Sequence, residues 1–248
     1  MNVRGLRGAL TRVSAAAAVI MAASAAWAAS VPPTVTVSID SVGVYDNYTK
    51  AIEGTPNGDG SYTVGDTGYG NNFTCDWSLV VNPDPSISGN FNLTNVSNTT
   101  QGFVLTATLP TGAIVGPTKT GGYLGDVTYT DTNGDGNLSY DPVGSNPLYL
   151  SLIDGGAFQP LNVVSGPAFG NGVTVVSSQV SFGLPGLTQP GPGVAANIGV
   201  RIQFSLTAHD HVSIPVSFQV EANPAPEPAT VVLMGLGLGG LALLRKRA

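Results

Sequence analysis

The feature that most restricts the fold is a long alternation of apolar and polar side chains near the C-terminal end. Apolar residues occupy every second position in residues 198–206 and again in residues 212–220. Because successive side chains of a β-strand point to opposite faces, a period of two predicts two strands, each with one buried face. The short connection predicts that residues 198–221 form an antiparallel hairpin. Pro215 lacks an N–H group, so we expect it at a sheet edge or a bulge.

Further segments rich in β-branched and aromatic residues predict additional strands, separated by Gly, Pro, Asn and Asp. These segments are 34–45, 73–81, 87–96, 103–109, 123–130, 148–153 and 173–182, with a weaker candidate at 61–64. Residues 183–193 hold three prolines and four glycines, which predicts a loop. Many short strands without helical periodicity between them favour an all-β fold, an antiparallel β-sandwich or a jelly-roll-like body.

Charge is distributed unevenly between the body of the chain and its two ends. Residues 29–223 contain fourteen acidic residues against three cationic ones, Lys50, Lys119 and Arg201, so this body carries a net charge near −11. A surface of this kind repels nucleic acid, because phosphate binding needs clustered Lys and Arg. It is compatible with divalent cations.

The residues that support common catalytic mechanisms are scarce. The single cysteine, Cys75, excludes an intramolecular disulfide, and we interpret it as a small buried apolar residue. No GxSxG, HExxH or Walker sequence is present. We therefore predict that the protein is not an enzyme, although sequence alone does not pair the two carboxylates that a glycan hydrolase would use.

The N-terminal end has the three parts of a secretory signal peptide. Arg4, Arg7 and Arg12 form a positive region, residues 13–26 are apolar and rich in alanine, and Ala26-Trp27-Ala28 fits a small-x-small cleavage site. We therefore predict a signal peptide over residues 1–28, which signal peptidase removes, and an extracytoplasmic domain over residues 29–223.

The C-terminal end combines a Pro-rich segment, an apolar run and a basic tail. Residues 229–244 carry no charge, and a helix of that length reaches about 24 Å, which is short for a bilayer core of about 30 Å. Arg245, Lys246 and Arg247 would stay on the cytoplasmic side. We expect a short transmembrane helix over residues 229–244.

Pro226-Glu227-Pro228, followed by this Gly/Leu-rich span and the basic tail, resembles the PEP-CTERM sorting signal of Gram-negative bacteria. The resemblance covers residues 224–248. It implies that a membrane enzyme, exosortase, recognises the Pro-Glu-Pro motif and processes the tail. It also implies an intermediate anchored in the inner membrane, delivery to the cell envelope or the extracellular space, and a setting in which exopolysaccharide is often made.

The segment DTNGDGNLSYD, residues 131–141, resembles the first part of a calcium-binding loop of the EF-hand or dockerin type. Candidate oxygen ligands stand at alternate positions, where such a loop wraps them around one ion: Asp131, Asn133, Asp135, Asn137, Ser139 and Asp141. Gly136 permits the sharp turn. Pro142 stands where a bidentate acid is expected, so we predict weak calcium binding, with a hairpin turn as the alternative.

Two other patterns carry weaker hypotheses. Asn57-Gly58-Asp59-Gly60 repeats the NGDG core, and aligning it on the calcium loop places Asp66 at the twelfth position. His209-Asp210-His211 has histidine spacing suitable for a metal ligand pair, but the alternation places both histidines on the polar face. We expect the segment around them to be a solvated turn.

These features together predict an exported envelope or biofilm-matrix protein with a structural or adhesive role. The first alternative is a calcium-supported carbohydrate-binding module that uses exposed Tyr and Trp side chains, and exopolysaccharide is then a candidate ligand. The second is a carboxylate-based glycan hydrolase. Exposed aromatics on a flat or concave face would favour binding, and two acids roughly 5–10 Å apart in a cleft would favour hydrolysis.

Overall fold

The computed structural model of the chain describes residues 31–133, 140–141, 146–161, 174–177 and 179–223. Residues 33–223 belong to one compact unit, whereas residues 1–32 form a separate unit of which only the last two residues are described. The described part is all-β with antiparallel pairing and no helix, as the alternation predicts. The predicted signal peptide and the predicted transmembrane helix lie outside the described residues.

Seven strands of the described residues form one sheet, which we call sheet A. They are β1 (Thr34–Val42), β2 (Asp46–Glu53), β7 (Gln101–Pro110), β10 (Tyr140–Asp141), β11 (Tyr149–Ile153), β12 (Gly156–Leu161) and β16 (Asn197–Leu206). The order across the sheet is β12-β11-β16-β7-β1-β2, and β10 pairs with β16.

Ten described strands form the second sheet, sheet B. They are β3 (Thr55–Pro56), β4 (Tyr62–Tyr69), β5 (Phe73–Asn82), β6 (Ser86–Asn95), β8 (Thr118–Leu124), β9 (Val127–Thr130), β13 (Thr174–Ser177), β14 (Val180–Phe182), β15 (Gln189–Gly191) and β17 (His211–Ala222). The order is β13-β9-β17-β6-β5-β4-β3; β8 also pairs with β17, and β14 and β15 pair with β8.

The inner faces of the two sheets share one apolar core. Phe73 of sheet B meets Phe103 of sheet A edge to face, with ring centroids 6.1 Å apart. The buried Tyr149 of sheet A donates its hydroxyl hydrogen to the backbone carbonyl of Ser217 in sheet B, at 2.7 Å. Burying an aromatic or large aliphatic side chain contributes about 1.5–3 kcal/mol, so this core is the main source of stability.

The predicted hairpin over residues 198–221 is wrong in its pairing, although both strands are correct. β16 pairs with β7 and β11 in sheet A, whereas β17 pairs with β6, β8 and β9 in sheet B. The chain therefore crosses from one sheet to the other through residues 207–210, which we call the arch. Alternation reports which face of a strand is buried, and both strands bury one face in the same core.

Pro215 lies in a central strand, so the edge expectation is wrong, while the bulge expectation is close to what is found. On one side of β17, the register shifts by one residue between the Val216–Leu124 pair and the Ser213–Thr128 pair. Pro215 faces this break, where its carbonyl accepts a hydrogen bond from the Gly125 N–H at 2.8 Å. The missing N–H of proline is tolerated because the neighbouring ladder is interrupted there.

The predicted loop over residues 183–193 is partly wrong, because β15 (Gln189–Gly191) pairs with β8. Pro190 is tolerated there, since β15 has β8 as its one strand partner among the described residues. The alternation also missed β2, whose side chains are mostly exposed, so it has no apolar period to detect.

Candidate functional site

Five loops gather at one end of the sandwich, which we call the loop end. They are residues 43–45 between β1 and β2, 70–72 between β4 and β5, 96–100 between β6 and β7, 131–133 after β9, and the arch, 207–210. The registers place them together, because the strand ends that flank these loops pair with one another: Val42 with Gly102, Phe73 with Asn95, Gln101 with Leu206, and His211 with both Thr94 and Thr130. The opposite end, where β17 finishes at Ala222, we call the tail end.

Asp46 joins the two sheets at the loop end. Its carboxylate, at the start of β2, accepts hydrogen bonds from the backbone N–H groups of Asn71 at 2.9 Å and Asn72 at 2.7 Å, in the turn between β4 and β5. Its side chain is buried, although it is an acid. Gly70 permits this close approach, because a Cβ atom there would lie 2.7 Å from the carboxylate. Both tips are therefore held in fixed positions.

Asn95 holds the arch through hydrogen bonds from its side chain. It is fully buried, and its amide nitrogen donates to the carbonyls of Leu206 and Thr207, each at 2.9 Å, and of Thr99 at 2.8 Å. Its side-chain oxygen accepts from the Ser97 N–H at 3.0 Å. One side chain thus satisfies backbone groups of two loops, which would otherwise be costly to bury.

The His209-Asp210-His211 segment is only partly the solvated turn that we expected. His209 is exposed and has a positive φ of 60°, and its Nε2 lies 2.9 Å from Asn98 Oδ1. Asp210 is instead fully buried, where its carboxylate accepts from the Thr132 N–H at 3.2 Å and from the Thr207 hydroxyl.

His211 is half-buried on the outer face of sheet B, with Nδ1 3.1 Å from Thr94 Oγ1. Burial lowers the pKa of His211, and the nearby Asp76 opposes this in part. The strand alternation could not show the burial of Asp210, because the arch lies outside both strands.

Two of the six candidate calcium ligands lie at the loop end with described side chains. Asp131 is 1 % exposed, and its Oδ1 accepts the Asn133 N–H at 3.2 Å. The Asn133 amide donates to the carbonyl of Ala208 in the arch at 2.9 Å. Asp135, Asn137 and Ser139 lie outside the described residues, and Asp141 is described only as a backbone position in β10.

The second NGDG segment has a turn structure with its own internal hydrogen bonds. Residues 57–60 form the turn between β3 and β4, and the Asp59 carboxylate accepts from the backbone N–H of Ser61 at 2.9 Å and from its hydroxyl at 2.6 Å. Hydrogen bonds from Ser61 lower the pKa of Asp59. NG and DG here have their common role as turn residues.

Asp66, the twelfth residue of the alignment on the calcium loop, serves a different contact. It accepts hydrogen bonds from Lys50 at 2.5 Å and from the Tyr48 hydroxyl at 2.8 Å, which ties β4 to β2 across the open flank of the sandwich. These two hydrogen bonds lower the pKa of Asp66 to about 2. Burial, followed by the Asp66 carboxylate, raises the pKa of Tyr48 to about 12.

The interpretation of Cys75 is confirmed. The thiol is buried in the core, and burial raises its pKa to about 12, so it stays neutral and unreactive at physiological pH. Within the described ranges, no group of three or more His, Cys, Asp or Glu side chains is placed to hold a metal ion.

The exposed aromatic side chains with described positions lie at the loop end. Tyr45, at the tip between β1 and β2, is fully exposed, and Tyr69, the last residue of β4, is 67 % exposed. Trp77 is buried in the core. A shallow pocket of about 230 Å³ is lined by Gly43, Val44 and Tyr45.

Comparison with known proteins bears on the C-terminal end. Residues 224–247 match the PEP-CTERM protein-sorting motif, which includes the predicted Pro226-Glu227-Pro228 and the basic residues Arg245, Lys246 and Arg247. No curated protein matches the chain. Among the residues that the structure describes, no helix is both long and apolar enough to cross a membrane. The matched motif implies export, a membrane-anchored C-terminal sorting signal, and an exosortase as the processing partner.

Replacing Asp46 by alanine tests whether its carboxylate holds the loop end. We expect a loss of about 2–3 kcal/mol in the free energy of unfolding, because the buried carboxylate accepts two hydrogen bonds and hydrogen bonds to charged groups are worth about 1.5–3 kcal/mol. The matched control is Asp40→Ala, an exposed acid on the neighbouring strand. Denaturant titration measures both variants, and equal small losses would contradict the role of Asp46.

The buried position of His211 predicts a pH dependence of stability. Its folded-state pKa lies below the ordinary value of 6.5. The unfolded chain therefore binds the proton first, and the free energy of unfolding falls as the pH drops below 6.5. Thermal melts at pH 7.5 and pH 5.5 should show this fall in the unaltered protein and a smaller one in His211→Gln, which keeps a polar partner for Thr94. An identical fall in both proteins would show that titratable groups other than His211 cause the pH dependence.

Proposed function

We propose that this protein is an exported structural or adhesive component of the cell envelope or biofilm matrix, whose sandwich is displayed on the outside after exosortase processing. The observation that carries the proposal is the short distance along the chain between the body and the sorting motif. β17 ends at Ala222, and the motif begins at residue 224.

This spacing sets which end of the body lies nearer to the membrane anchor. From Ala222 to Pro226 the chain reaches at most about 14 Å, at 3.3–3.6 Å per residue. Asn223 is still bound to the body, since its N–H donates to the carbonyl of Pro117 at 3.2 Å. The tail end is therefore close to the anchor, and β17 spans twelve residues, or about 40 Å, to the loop end. The loop end is the part of the body that an anchored molecule presents outward.

The use of the loop-end carboxylates supports a structural role over hydrolysis. A glycan hydrolase needs one carboxyl group that protonates the leaving group and a second that acts on the sugar. Asp46 instead accepts two backbone hydrogen bonds, and Asp210 accepts one backbone and one hydroxyl hydrogen bond. These contacts position loops, which is what a rigid displayed scaffold requires.

Calcium is the cofactor that we propose for the segment 131–141. Asp131 lies buried beside the arch, where an ion would offset the repulsion between acids in a body near −11. Because Pro142 replaces the bidentate acid, we expect a Kd of order 10⁻⁴–10⁻³ M, as in extracellular modules. Binding would brace the arch against the segment that follows β9.

Deletion of the tail tests the sorting proposal. Without residues 224–248 the protein should leave the membrane fraction and appear in the periplasm or the medium, because its anchor is gone. Glu227→Ala should block processing and leave the fold intact, whereas the matched control Glu221→Ala, an exposed acid at the end of β17, should be processed normally. A tailless protein that stays in the membrane fraction would contradict the proposal.

Melting curves test the calcium site. Millimolar calcium should raise the melting temperature, because a ligand that binds only the native state stabilises it by RT ln(1 + [L]/Kd), which is about 0.4–1.4 kcal/mol at this concentration for a Kd of 10⁻³–10⁻⁴ M. The double variant Asp131→Ala, Asp135→Ala should lose this rise, while Asp59→Ala, in the other NGDG segment, should keep it. Magnesium should act much less, since it demands octahedral geometry at shorter distances. An equal rise in all variants would mean that calcium only screens the acidic surface.

A further inference from the structure

Exposed apolar and aromatic side chains are concentrated at the loop end. Tyr45 and Tyr69 are the large examples, and Val42, Val44 and Val96 are each 40–44 % exposed. Single exposed apolar residues are ordinary, but five on neighbouring loops and strand ends at one end of a sandwich indicate a contact surface.

These side chains stand on immobilised backbone. The two bonds of Asp46 tie the tip that carries Tyr45 to the turn that follows Tyr69. The Val96 N–H donates to the carbonyl of Asn72 in the same turn, at 2.9 Å. A ligand that binds here therefore pays little to order the loops, and such preorganisation favours affinity.

The polar groups of the surface are almost all neutral. None of the three cationic residues of the body lies in the five loops of the loop end. The loops of this end instead present exposed or half-exposed amide and hydroxyl side chains, from Asn71, Asn72, Asn98, Thr99 and Thr100. An anionic ligand would need Arg or Lys to pair with, and it would meet the repulsion of an acidic body.

We propose that the loop end binds a neutral polysaccharide, with Tyr45 against the face of one sugar ring in the pocket that it forms with Gly43 and Val44. A sugar ring has apolar C–H faces and a rim of hydroxyl groups, and this matches an amphipathic tyrosine ring among amide and hydroxyl partners. The proposal rests on the proposed function, because it names the ligand class that an outward-facing adhesive surface would take.

The tyrosine rings, and the amide and hydroxyl side chains, would contact different parts of a sugar. The tyrosine ring contributes apolar contact, which Phe would also supply and Ala would not. Tyr69 offers a second ring at the same end for another unit of a polymer, so a chain of sugars should bind more tightly than one sugar.

The test is affinity electrophoresis of the full-length chain in detergent through gels that contain neutral polymers, a glucan, a galactan and a mannan, or an anionic one, alginate. At least one neutral polymer should retard the unaltered protein, and alginate should not. Tyr45→Ala should weaken retardation about tenfold, as loss of a central aromatic contact does. Tyr45→Phe and the tail-end control Val115→Ser, whose residue is 93 % exposed, should stay within about threefold of the unaltered protein.

The inference is overturned if no neutral polymer retards the protein, if alginate alone does, or if Tyr45→Ala binds as well as the unaltered chain. Retardation that Val115→Ser loses equally would also overturn it, because the tail end or a general apolar effect would then be responsible. Each of these results leaves the tail-deletion test unaffected, so a protein that is sorted but binds no sugar contradicts this inference and not the proposed function.

Discussion

Hydrogen bonds from backbone N–H groups to carboxylates hold the loops of this protein. The body has fourteen acids and three cationic residues, so most carboxylates have no cation to pair with. The chain uses backbone amides instead: Asp46 binds two in the turn after β4, Asp154 binds those of Ala195 and Ala196 at 2.8 and 2.7 Å, and Asp210 binds one beside the arch. Such bonds lower the pKa of Asp154 as they favour its charged form.

This constraint connects the core to the surface. The core requires β16 and β17 to lie in opposite sheets, so the chain must cross at the arch, where backbone groups leave their ladders. The buried Asn95 satisfies two backbone carbonyls at the crossing, and the buried Asp210 accepts the Thr132 N–H beside it. The same crossing brings the segment after β9 and the loop before β7 to one place. The loop end is therefore fixed because the chain crosses between the two sheets there. The exposed tyrosines occupy positions that this crossing determines.

The strands themselves were largely predictable from the sequence, whereas their partners were not. Alternation located β16 and β17, and β-branched and aromatic composition located β5, β6, β7 and β11, each to within a few residues. Alternation could not separate a hairpin from a crossing, since residues 198–221 have the same pattern in either case. It also missed β2, because an exposed edge strand need not alternate.

The sorting motif was predictable because its signal is linear, whereas the site was not, because it depends on contacts between distant parts of the chain. Asp46 and the Asn71–Asn72 turn are 25 and 26 residues apart, and Asn95 and Thr207 are 112 apart. A local signal exists only for the bond from the Ser97 N–H to Asn95, since asparagine often bonds the backbone two residues on, and it says nothing about the contacts of Asn95 with the arch. Calcium binding by residues 131–141 stays a prediction. It rests on a linear motif and on the contacts that Asp131 and Asn133 make.

Amide hydrogen exchange tests directly whether carboxylates hold the loop end. The N–H groups of Asn71, Asn72 and Thr132 belong to loops, but each donates to a carboxylate. If the carboxylates hold the loop end, these amides should exchange at least about a hundredfold more slowly than open peptides. Exchange of these three amides at the rate of an unstructured loop would show that the carboxylates do not hold the loop end.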